Sequence, residues 1–383
     1  MTLTEDQRII RDTVRSFSQT ELKPNSALWA KESRFPHAAL QEMAALGLFG
    51  MTVPEKWGGA NADTVSLVLA LEEVAAGDGA CSTILSVNNS VVCGPILKFG
   101  SEYLKKTYLN PLAHGQMLGC FCLTESHAGS DASAIRTRAE KDEDEYIING
   151  TKQFITSGQN AQVAIVFAVT DAAAGKKGIS AFVVPTQTEG YRVVKIEDKM
   201  GQSASDTAEI EFSQCRVPAS HLLGQEGQGY KIALSNLEAG RIGIAAQCVG
   251  MARAAYEIAK TYSTERMSFG KTIIQHQAVG FRLADMATQL QAAHLMTLEA
   301  ARLKDIGEPC LQQASMAKLF ASESAEKICS DAIQILGGYG YIRDFGVEQI
   351  ARDVRVAQIY EGSSDIQRMV IARNIQSEST GKR

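Results

Sequence analysis

The chain has 383 residues, of which 45% are hydrophobic and 21% are charged, and its formal net charge is −5. This composition indicates an ordinary soluble globular protein with room for two or three domains. The acidic balance argues against a nucleic-acid surface and gives no attraction to anionic membranes. None of the eight cysteines forms a CxxC pair and the six histidines supply no ligand pair, so we expect no metal site. Free thiols in a reducing compartment are expected instead.

The first segment, residues 1–115, has the periodicity of helices. Thr4 and Gln7 form a capping-box pattern, and the apolar residues Ile10, Val14 and Phe17 follow at helical spacing. The acidic start argues against a transit peptide or a secretory signal. We count no apolar stretch of the ~18 residues that a membrane span needs. We therefore expect no membrane insertion, and a location in the bacterial cytoplasm, or in the mitochondrial matrix for a processed form.

The middle segment, residues 116–229, has the pattern of short strands. Residues 146–151 predict a hairpin, because Asn149 and Gly150 supply the positive-φ pair of a type I′ turn. Val163 to Val169 and Ile179 to Val184 are predicted as buried strands, since they are rich in Val, Ile and Phe.

The last segment, residues 230–383, is helical again. Long Ala- and Leu-rich stretches cover roughly residues 231–263, 276–306 and 309–336. Such lengths favour an antiparallel bundle. Because no βαβ alternation is present, a Rossmann domain is not expected. The predicted fold class is therefore mainly α with a β domain in the middle.

Three short patterns have the residue types of a binding site. Residues 121–131 run from a strand into a loop of small residues that could hold a phosphate or a ring edge, although an ordinary loop is the simpler explanation. Residues 266–270 could place an arginine on a phosphate and a phenylalanine over a ring, or could simply cap a helix. Residues 334–340 end a helix at more glycines than a plain cap needs.

A fourth pattern surrounds Glu361. This glutamate stands between Tyr360 and Gly362, just before a Ser-Ser-Asp helix start. A turn between two helices can aim a base into a pocket while its backbone N–H stays free to donate. Taken alone, a solvated loop glutamate is the ordinary alternative.

Taken together and in this order, the patterns resemble the acyl-CoA dehydrogenase family, from residue 4 to about residue 375. The matching stretches are residues 121–131, 149–156, 237–241, 266–270, 334–338 and 360–367. The resemblance implies an N-terminal α-helical domain, a β-barrel-like middle domain and a C-terminal four-helix bundle. We place these domains at residues 1–115, 116–229 and 230–383.

The resemblance also implies a reaction. Members of the family oxidise an acyl-CoA thioester to a trans-2-enoyl-CoA, with a glutamate removing the α-proton and the β-hydrogen leaving as hydride to N5 of FAD. Some relatives carry that glutamate just before an arginine that matches Arg241. Since Gly240 stands there in this chain, Glu361 is the expected base.

Cofactor contacts are carried over from the family by position. The flavin is expected on Phe121, Cys122, Leu123, Thr124, Ser130, Phe154, Ile155 and Thr156. The pyrophosphate and adenosine end is expected on Arg266, Phe269, Gln277, Gln334, Ile335, Leu336, Gly337 and Gly338, with a helix N-terminus at Ser363, Ser364 and Asp365. Part of this set comes from a neighbouring subunit in the family, which implies a homo-oligomer, most often a tetramer.

The acyl-CoA is expected to contact Ser130, Glu238, Arg241 and Gly362. Residues 86–90 and 94–100 look most like those of butyryl-CoA dehydrogenases, which favours short straight chains of about four to six carbons. A 2-methyl-branched substrate, an acyl-CoA oxidase and, more remotely, a non-catalytic binding homologue stay open. Glu238 could instead pair with Arg241 on its own helix. The expected electron acceptor is electron-transferring flavoprotein, by analogy alone.

Three positions depart from the family pattern. Phe154 stands where many relatives have tryptophan, which keeps an aromatic ring. Ser126 stands where proline is usual, which is expected to soften the flavin loop. Ser203 stands where most relatives have arginine, so an ion pair between domains is in doubt.

Overall fold

Helices precede and follow a central sheet in the computed structural model, which describes residues 2–379. The predicted capping box is formed, since Gln7 N–H donates to Thr4 Oγ1 at 3.2 Å and Thr4 N–H donates to Gln7 Oε1 at 3.0 Å. The helices before the sheet are α1 Glu5–Phe17, α2 Lys23–Glu32, α3 His37–Ala45, α4 Thr64–Gly77, α5 Gly79–Val87, α6 Gly94–Phe99, α7 Glu102–Leu104 and α8 Asn110–Ala113.

One helical stretch contradicts the expectation that no segment is long and apolar enough to cross a membrane. α5, a π-helical turn at Asn88–Cys93 and α6 form a continuous run, Gly79–Phe99, which contains an 18-residue window with a mean hydropathy of 1.3. Its most apolar 18-residue window is 83% buried inside the protein. The run is therefore the core helix of a folded domain, in which buried polar side chains such as Asn88 and Asn89 lie among the apolar ones.

The central sheet has seven strands in the order β1-β4-β2-β3-β7-β6, with β5 paired to β4. One face forms a core of its own, which includes Cys122, Ile148, Val166 and Phe212, so the sheet curls round in a barrel-like way. The strands are β1 Gly119–Cys122, β2 Arg138–Asp142, β3 Glu145–Thr156, β4 Val163–Val169, β5 Ile179–Pro185, β6 Tyr191–Ile196 and β7 Thr207–Pro218. The two predicted buried strands are confirmed as β4 and β5.

The predicted hairpin turn at Asn149-Gly150 is wrong. β3 runs straight through both residues, and its register against β7 shifts between Ile148 and Gly150. Gly150 has φ of 149°, and a Cβ atom there would lie 2.5 Å from Thr137 Oγ1. The dipeptide therefore serves a β-bulge, which uses the same glycine freedom as a tight turn.

Long helices follow the sheet. Three of them lie within two residues of their predicted ends, and α9, α10 and α11 pack together with α14 on α11. A small hairpin, β8 Met267–Ser268 and β9 Lys271–Thr272, lies between the first two. The helices are α9 Gly229–Glu265, α10 Gln277–Asp305, α11 Leu311–Leu336, α12 Gly338–Tyr341, α13 Val347–Val354 and α14 Ser364–Ser379.

The hydrophobic core joins the two helical parts. A single cluster of buried side chains contains Leu69 and Leu85 from the first part and Ile242 and Ile328 from the last. The change from helix to strand falls between Ala113 and Gly119, and the change back falls between Pro218 and Gly229. Because one core spans both helical parts, the domain limits at residues 115 and 229 stay a prediction. All eight cysteines are buried free thiols.

Candidate active site

Glu361 lies on the turn that precedes α14, and two successive residues of that turn have a left-handed backbone. The φ angle is 53° at Glu361 and 82° at Gly362. Glycine adopts this conformation freely, whereas glutamate needs surrounding contacts to hold it. The backbone N–H of Glu361 has no acceptor within residues 2–379, so it is free to donate to a bound molecule.

The Glu361 carboxylate lies over the backbone of α9 at Gly240. A Cβ atom at position 240 would lie 2.7 Å from Oε2 and 3.0 Å from Cδ of Glu361. Only a residue without a side chain leaves this room open. Oε2 is buried and has no hydrogen-bond partner among the described residues. Positions 240 and 361 therefore face the same space.

Burial and two cations control the charge of the Glu361 carboxyl group. Burial raises the pKa of Glu361 to about 7, while Arg241 and Lys318 oppose the rise. Arg241 is buried and donates from Nη1 to Ser315 Oγ at 3.3 Å. A carboxylate with a pKa near neutrality suits a general base, because it is free of a proton and still basic enough to take one.

Glu238 lies on the same helix as Gly240 but turns toward another element. Its Oε1 accepts a hydrogen bond from Cys310 Sγ at 3.1 Å and lies 3.7 Å from Lys304 Nζ. The ion pair with Arg241 that the sequence left open is not among the salt bridges of the described chain. A contact between Glu238 and CoA stays a prediction.

The strand and loop expected to hold the flavin are brought next to the end of β3. Gln153 N–H donates to the Thr124 carbonyl oxygen at 2.9 Å. Lys152, which is fully buried, donates from Nζ to the Leu123 carbonyl oxygen at 3.0 Å and to Glu125 Oε1 at 2.8 Å. The structure therefore places residues 121–124 beside residues 154–156.

An aromatic ring is presented to solvent at this place. Phe154 has φ of 59° and is 63% exposed, whereas its neighbour Ile155 is buried. Exposing a phenylalanine in a left-handed conformation is unfavourable for an isolated chain, so it points to a ligand that covers the ring. Ser130 is exposed on the loop that follows β1.

Five of the eight residues expected at the adenosine end line a separate groove of about 440 Å³, whereas Phe269, Gln277 and Gln334 are not part of its lining. Phe269, at the tip of the β8–β9 hairpin, is 95% exposed, and Gln277 and Gln334 are exposed as well. The groove is lined by Tyr262, Arg266, Ser268, Ile273, Ile335, Leu336, Gly337, Gly338, Tyr339 and Ile342.

This groove does not lie beside Glu361. Lys318, whose Nζ donates to the Gly362 carbonyl oxygen, stands on α11, and the groove is at the C-terminal end of the same helix. At 1.5 Å per residue the helix carries the chain about 27 Å from Lys318 to Leu336. The cofactor residues predicted at the start of α14, Ser363 to Asp365, are therefore separated from those predicted at the groove.

Comparison with known proteins identifies the family. Sequence profiles of the N-terminal, middle and C-terminal domains of acyl-CoA dehydrogenase match residues 4–116, 120–215 and 227–376. The chain belongs to the acyl-CoA dehydrogenase family. It is 46% identical to an acyl-CoA dehydrogenase of Bacillus subtilis (strain 168), over 97% of this chain and 98% of the relative. It is 46% identical to the mitochondrial short-chain specific acyl-CoA dehydrogenase of Homo sapiens, over 97% of this chain and 90% of that relative.

Solved structures of this fold agree closely with the acyl-CoA dehydrogenase described here. Butyryl-CoA dehydrogenase from Megasphaera elsdenii superposes with a TM-score of 0.96 at 40% identity, over 98% of this chain and 99% of the other. A chain from work on the electron transferring flavoprotein of Acidaminococcus fermentans superposes with a TM-score of 0.97 at 44% identity, over 98% of this chain and 99% of the other. A glutaryl-CoA dehydrogenase from Mycobacterium smegmatis in complex with FADH2 superposes with a TM-score of 0.93 at 34% identity, over 98% of this chain and 95% of the other.

These findings confirm the predicted family, fold class and type of enzyme, and they imply a flavin cofactor. The residues of this acyl-CoA dehydrogenase fit such a group. Arg266 has no ion pair within the described part of the chain, although it lines the groove. A Cβ atom at Gly337 or Gly338 would meet nothing, so the backbone there is open to a ligand. Ser364 Oγ, at the start of α14, is buried without a partner among the described residues. The unpaired cation and the open backbone at the groove are features of a pyrophosphate site, and the N-terminus of α14, which lies at the Glu361 turn and not at the groove, is a second place that favours an anion.

The sequence analysis did not predict two residues that hydrogen-bond to the Glu361 turn. Lys318 and Gln367 are both fully buried, and both donate hydrogen bonds to carbonyl oxygens of the turn. A signal for Lys318 was present, because it falls four residues after Ala314 and three before Ala321, which places it on the same face as these small apolar residues. We find no comparable local signal for Gln367.

Proposed function

We propose that this acyl-CoA dehydrogenase oxidises short straight-chain acyl-CoA thioesters, of about four to six carbons, to trans-2-enoyl-CoA with FAD as cofactor. The observation that carries the proposal is the buried Glu361 carboxylate, whose Oε2 has no partner among the described residues. Close similarity to a human short-chain specific enzyme and to a butyryl-CoA dehydrogenase supports the chain length.

Glu361 removes the α-proton of the thioester. Burial raises the pKa of Glu361 to about 7, so the carboxylate is more basic than that of an exposed glutamate. The difference between its pKa and that of the weakly acidic α-carbon is therefore smaller, which favours proton transfer. An acyl chain that fills the pocket removes further water and strengthens this effect.

The backbone N–H of Glu361 stabilises the charge that develops on the thioester oxygen. It has no other acceptor in residues 2–379. A preorganised donor of this kind is typically worth ~2.7–4 kcal/mol of barrier. The proton acceptor and one oxyanion donor thus come from a single residue with a fixed backbone.

FAD, when bound, supplies the acceptor for the β-hydrogen as hydride. Residues 121–124 and 154–156 hold the flavin ring, and Arg266 with Gly337 and Gly338 holds the pyrophosphate and adenosine end. Because the groove at Arg266 lies about 27 Å along α11 from the Glu361 turn, we propose that a neighbouring subunit completes each cofactor site. This arrangement requires a homo-oligomer, for which we propose a tetramer. Electron-transferring flavoprotein is the proposed acceptor.

Replacement of the base tests the reaction. We expect Glu361→Gln to bind FAD and butyryl-CoA while its rate of anaerobic flavin reduction falls by about 10²–10⁴-fold, since a general base is worth that much. Stopped-flow bleaching of the flavin absorbance measures the rate. Glu42→Gln, at an exposed position of α3, is the matched control and keeps the wild-type rate. Reduction of the Glu361 variant at the wild-type rate would place the base elsewhere.

The substrate range is tested by the same measurement. Straight acyl chains from butyryl to dodecanoyl are compared with isobutyryl, 2-methylbutyryl and isovaleryl thioesters. We expect the highest reduction rate with butyryl- or hexanoyl-CoA, and a maximum with 2-methylbutyryl-CoA would identify a branched-chain enzyme. Peroxide release during aerobic turnover without an added acceptor would identify an oxidase.

A further inference from the structure

Two buried side chains hold the turn that carries Glu361. Gln367 Nε2 donates to the Glu361 carbonyl oxygen at 3.1 Å and to the Gly362 carbonyl oxygen at 2.8 Å. Lys318 Nζ donates to the same Gly362 oxygen at 2.7 Å. Both donors are fully buried.

The turn needs such donors to keep its shape. A left-handed conformation is disfavoured for glutamate, and it persists only where its surroundings fix it. Two carbonyl groups in a buried turn would also be costly without donors. Gln367 and Lys318 supply three hydrogen bonds to these carbonyl groups. The donor of one of them is the charged ammonium group of Lys318, which makes that hydrogen bond stronger.

A neutral donor could make the same contact, so the charge of Lys318 requires its own explanation. Burial lowers the pKa of Lys318 to about 8, against the opposing effects of Cys248 and Glu361. The other charged groups that act on it are Arg241, from α9, and Glu323, on its own helix. An ammonium group in this place lowers the pKa of Glu361, together with Arg241.

We propose that Lys318 and Gln367 are positioning residues for the base, and that the Lys318 ammonium sets the pH range in which Glu361 can accept a proton. This inference rests on the proposed function. The two hydrogen-bonding side chains fix the direction of the carboxylate and of the free N–H. The charge keeps the carboxylate ionised at a lower pH than burial alone would allow.

Two variants separate the hydrogen bonds from the charge. Gln367→Leu removes two hydrogen bonds and leaves the charge, whereas Lys318→Met removes one hydrogen bond and the charge. We expect both to slow anaerobic flavin reduction by butyryl-CoA about 10–100-fold, as misplacement of a catalytic group does. Only Lys318→Met should shift the acidic limb of the pH–rate profile, to higher pH by about one unit. Affinity for butyryl-CoA should change little in either variant.

Lys327→Met is the matched control, because Lys327 is exposed on the same helix and pairs with Asp331 at the surface. It should keep the wild-type rate and profile. If Lys318→Met does not fold, Lys318→Gln removes the charge and keeps a polar side chain, and the same upward shift is expected.

The outcomes distinguish this inference from the proposed function. Rates within about twofold of wild type and an unshifted profile in the Lys318 and Gln367 variants would overturn the inference. If Glu361→Gln has meanwhile lost its activity, the proposed function stands. If Glu361→Gln reduces its flavin normally, the proposed function fails and the inference fails with it.

Discussion

At the scale of single residues, the space for the base is made by a side chain that is missing. Gly240 lies so close to the Glu361 carboxylate that a Cβ atom would come within 2.7 Å of Oε2. The sequence alone indicated both positions, because one carries the glutamate in this chain and the other carries it in some relatives. We did not predict Lys318 despite its spacing from buried alanines, since a lysine in a helix is usually a surface residue.

Gly240→Ala tests this close contact. The atom that the new methyl group meets is the end of a flexible side chain, so the fold can accommodate it by moving the carboxylate. Alanine also favours a helix over glycine by ~1 kcal/mol. We therefore expect a melting temperature no lower than that of wild type and a rate of flavin reduction lowered by about tenfold or more. A wild-type rate in the variant would show that the position of the carboxylate is not critical.

At the scale of secondary-structure elements, a buried ion pair anchors the loop that follows β1. Glu125 accepts hydrogen bonds from the backbone N–H groups of Arg136 and Thr137 as well as from Lys152 Nζ. Burial raises the pKa of Glu125, but Lys152 and the other donors outweigh burial and lower it. The proline expected at position 126 from the family resemblance is therefore not the only means of holding this loop. Exposed Ser126 directly follows Glu125, whose carboxylate accepts these three hydrogen bonds.

Lys152→Met should destabilise the protein by about 3–5 kcal/mol, because it leaves Glu125 buried without its cation. Urea unfolding at neutral pH measures the free energy of unfolding. The double variant Lys152→Met with Glu125→Gln should recover part of the loss, since it removes the unpaired charge. Lys141→Met, at an exposed position of β2, is the control and should change the stability little. A loss confined to about 1 kcal/mol would show that the pair is not an anchor.

At the scale of the whole molecule, the loop before β7 meets helices from both ends of the chain. Gln202 donates its backbone N–H to Asp353 Oδ1 and its Nε2 to the Asp353 carbonyl oxygen at 3.0 Å. Its Oε1 accepts a hydrogen bond from Thr83 Oγ1 at 2.7 Å. Ser203, where relatives have arginine, follows directly. In this chain the junction is therefore held by an amide and a buried carboxylate beside that position.

The junction predicts a dependence of stability on pH. Burial raises the pKa of Asp353 to about 7, far above its value in an unfolded chain. The folded state therefore holds a proton that the unfolded state releases, and stability falls as pH rises from about 4 to about 7. Asp353→Asn removes this loss and keeps an oxygen for Gln202. We expect its stability relative to wild type to be higher at pH 8 than at pH 5 by roughly 1–3 kcal/mol.

Urea unfolding of the flavin-loaded protein at the two pH values measures this difference. Asp285→Asn, at an exposed position of α10, is the control and should show no such difference. An equal effect of Asp353→Asn at both pH values would mean that this carboxyl group does not titrate in the native state over that range.

The sequence by itself determined the family, the order of helical and β parts, the three long helices and the turn of Glu361. All of these depend on local patterns, namely periodicity, glycine positions and short motifs, which one stretch of chain carries alone. Only the tertiary structure decided that Asn149-Gly150 is a bulge, that Gly79–Phe99 is a core helix, and that Lys318 and Gln367 hold the base. Each of these depends on partners far away in the chain. A residue is buried only once those partners are packed against it. An unpaired buried charge or a backbone left open to a ligand therefore exists only in the folded structure.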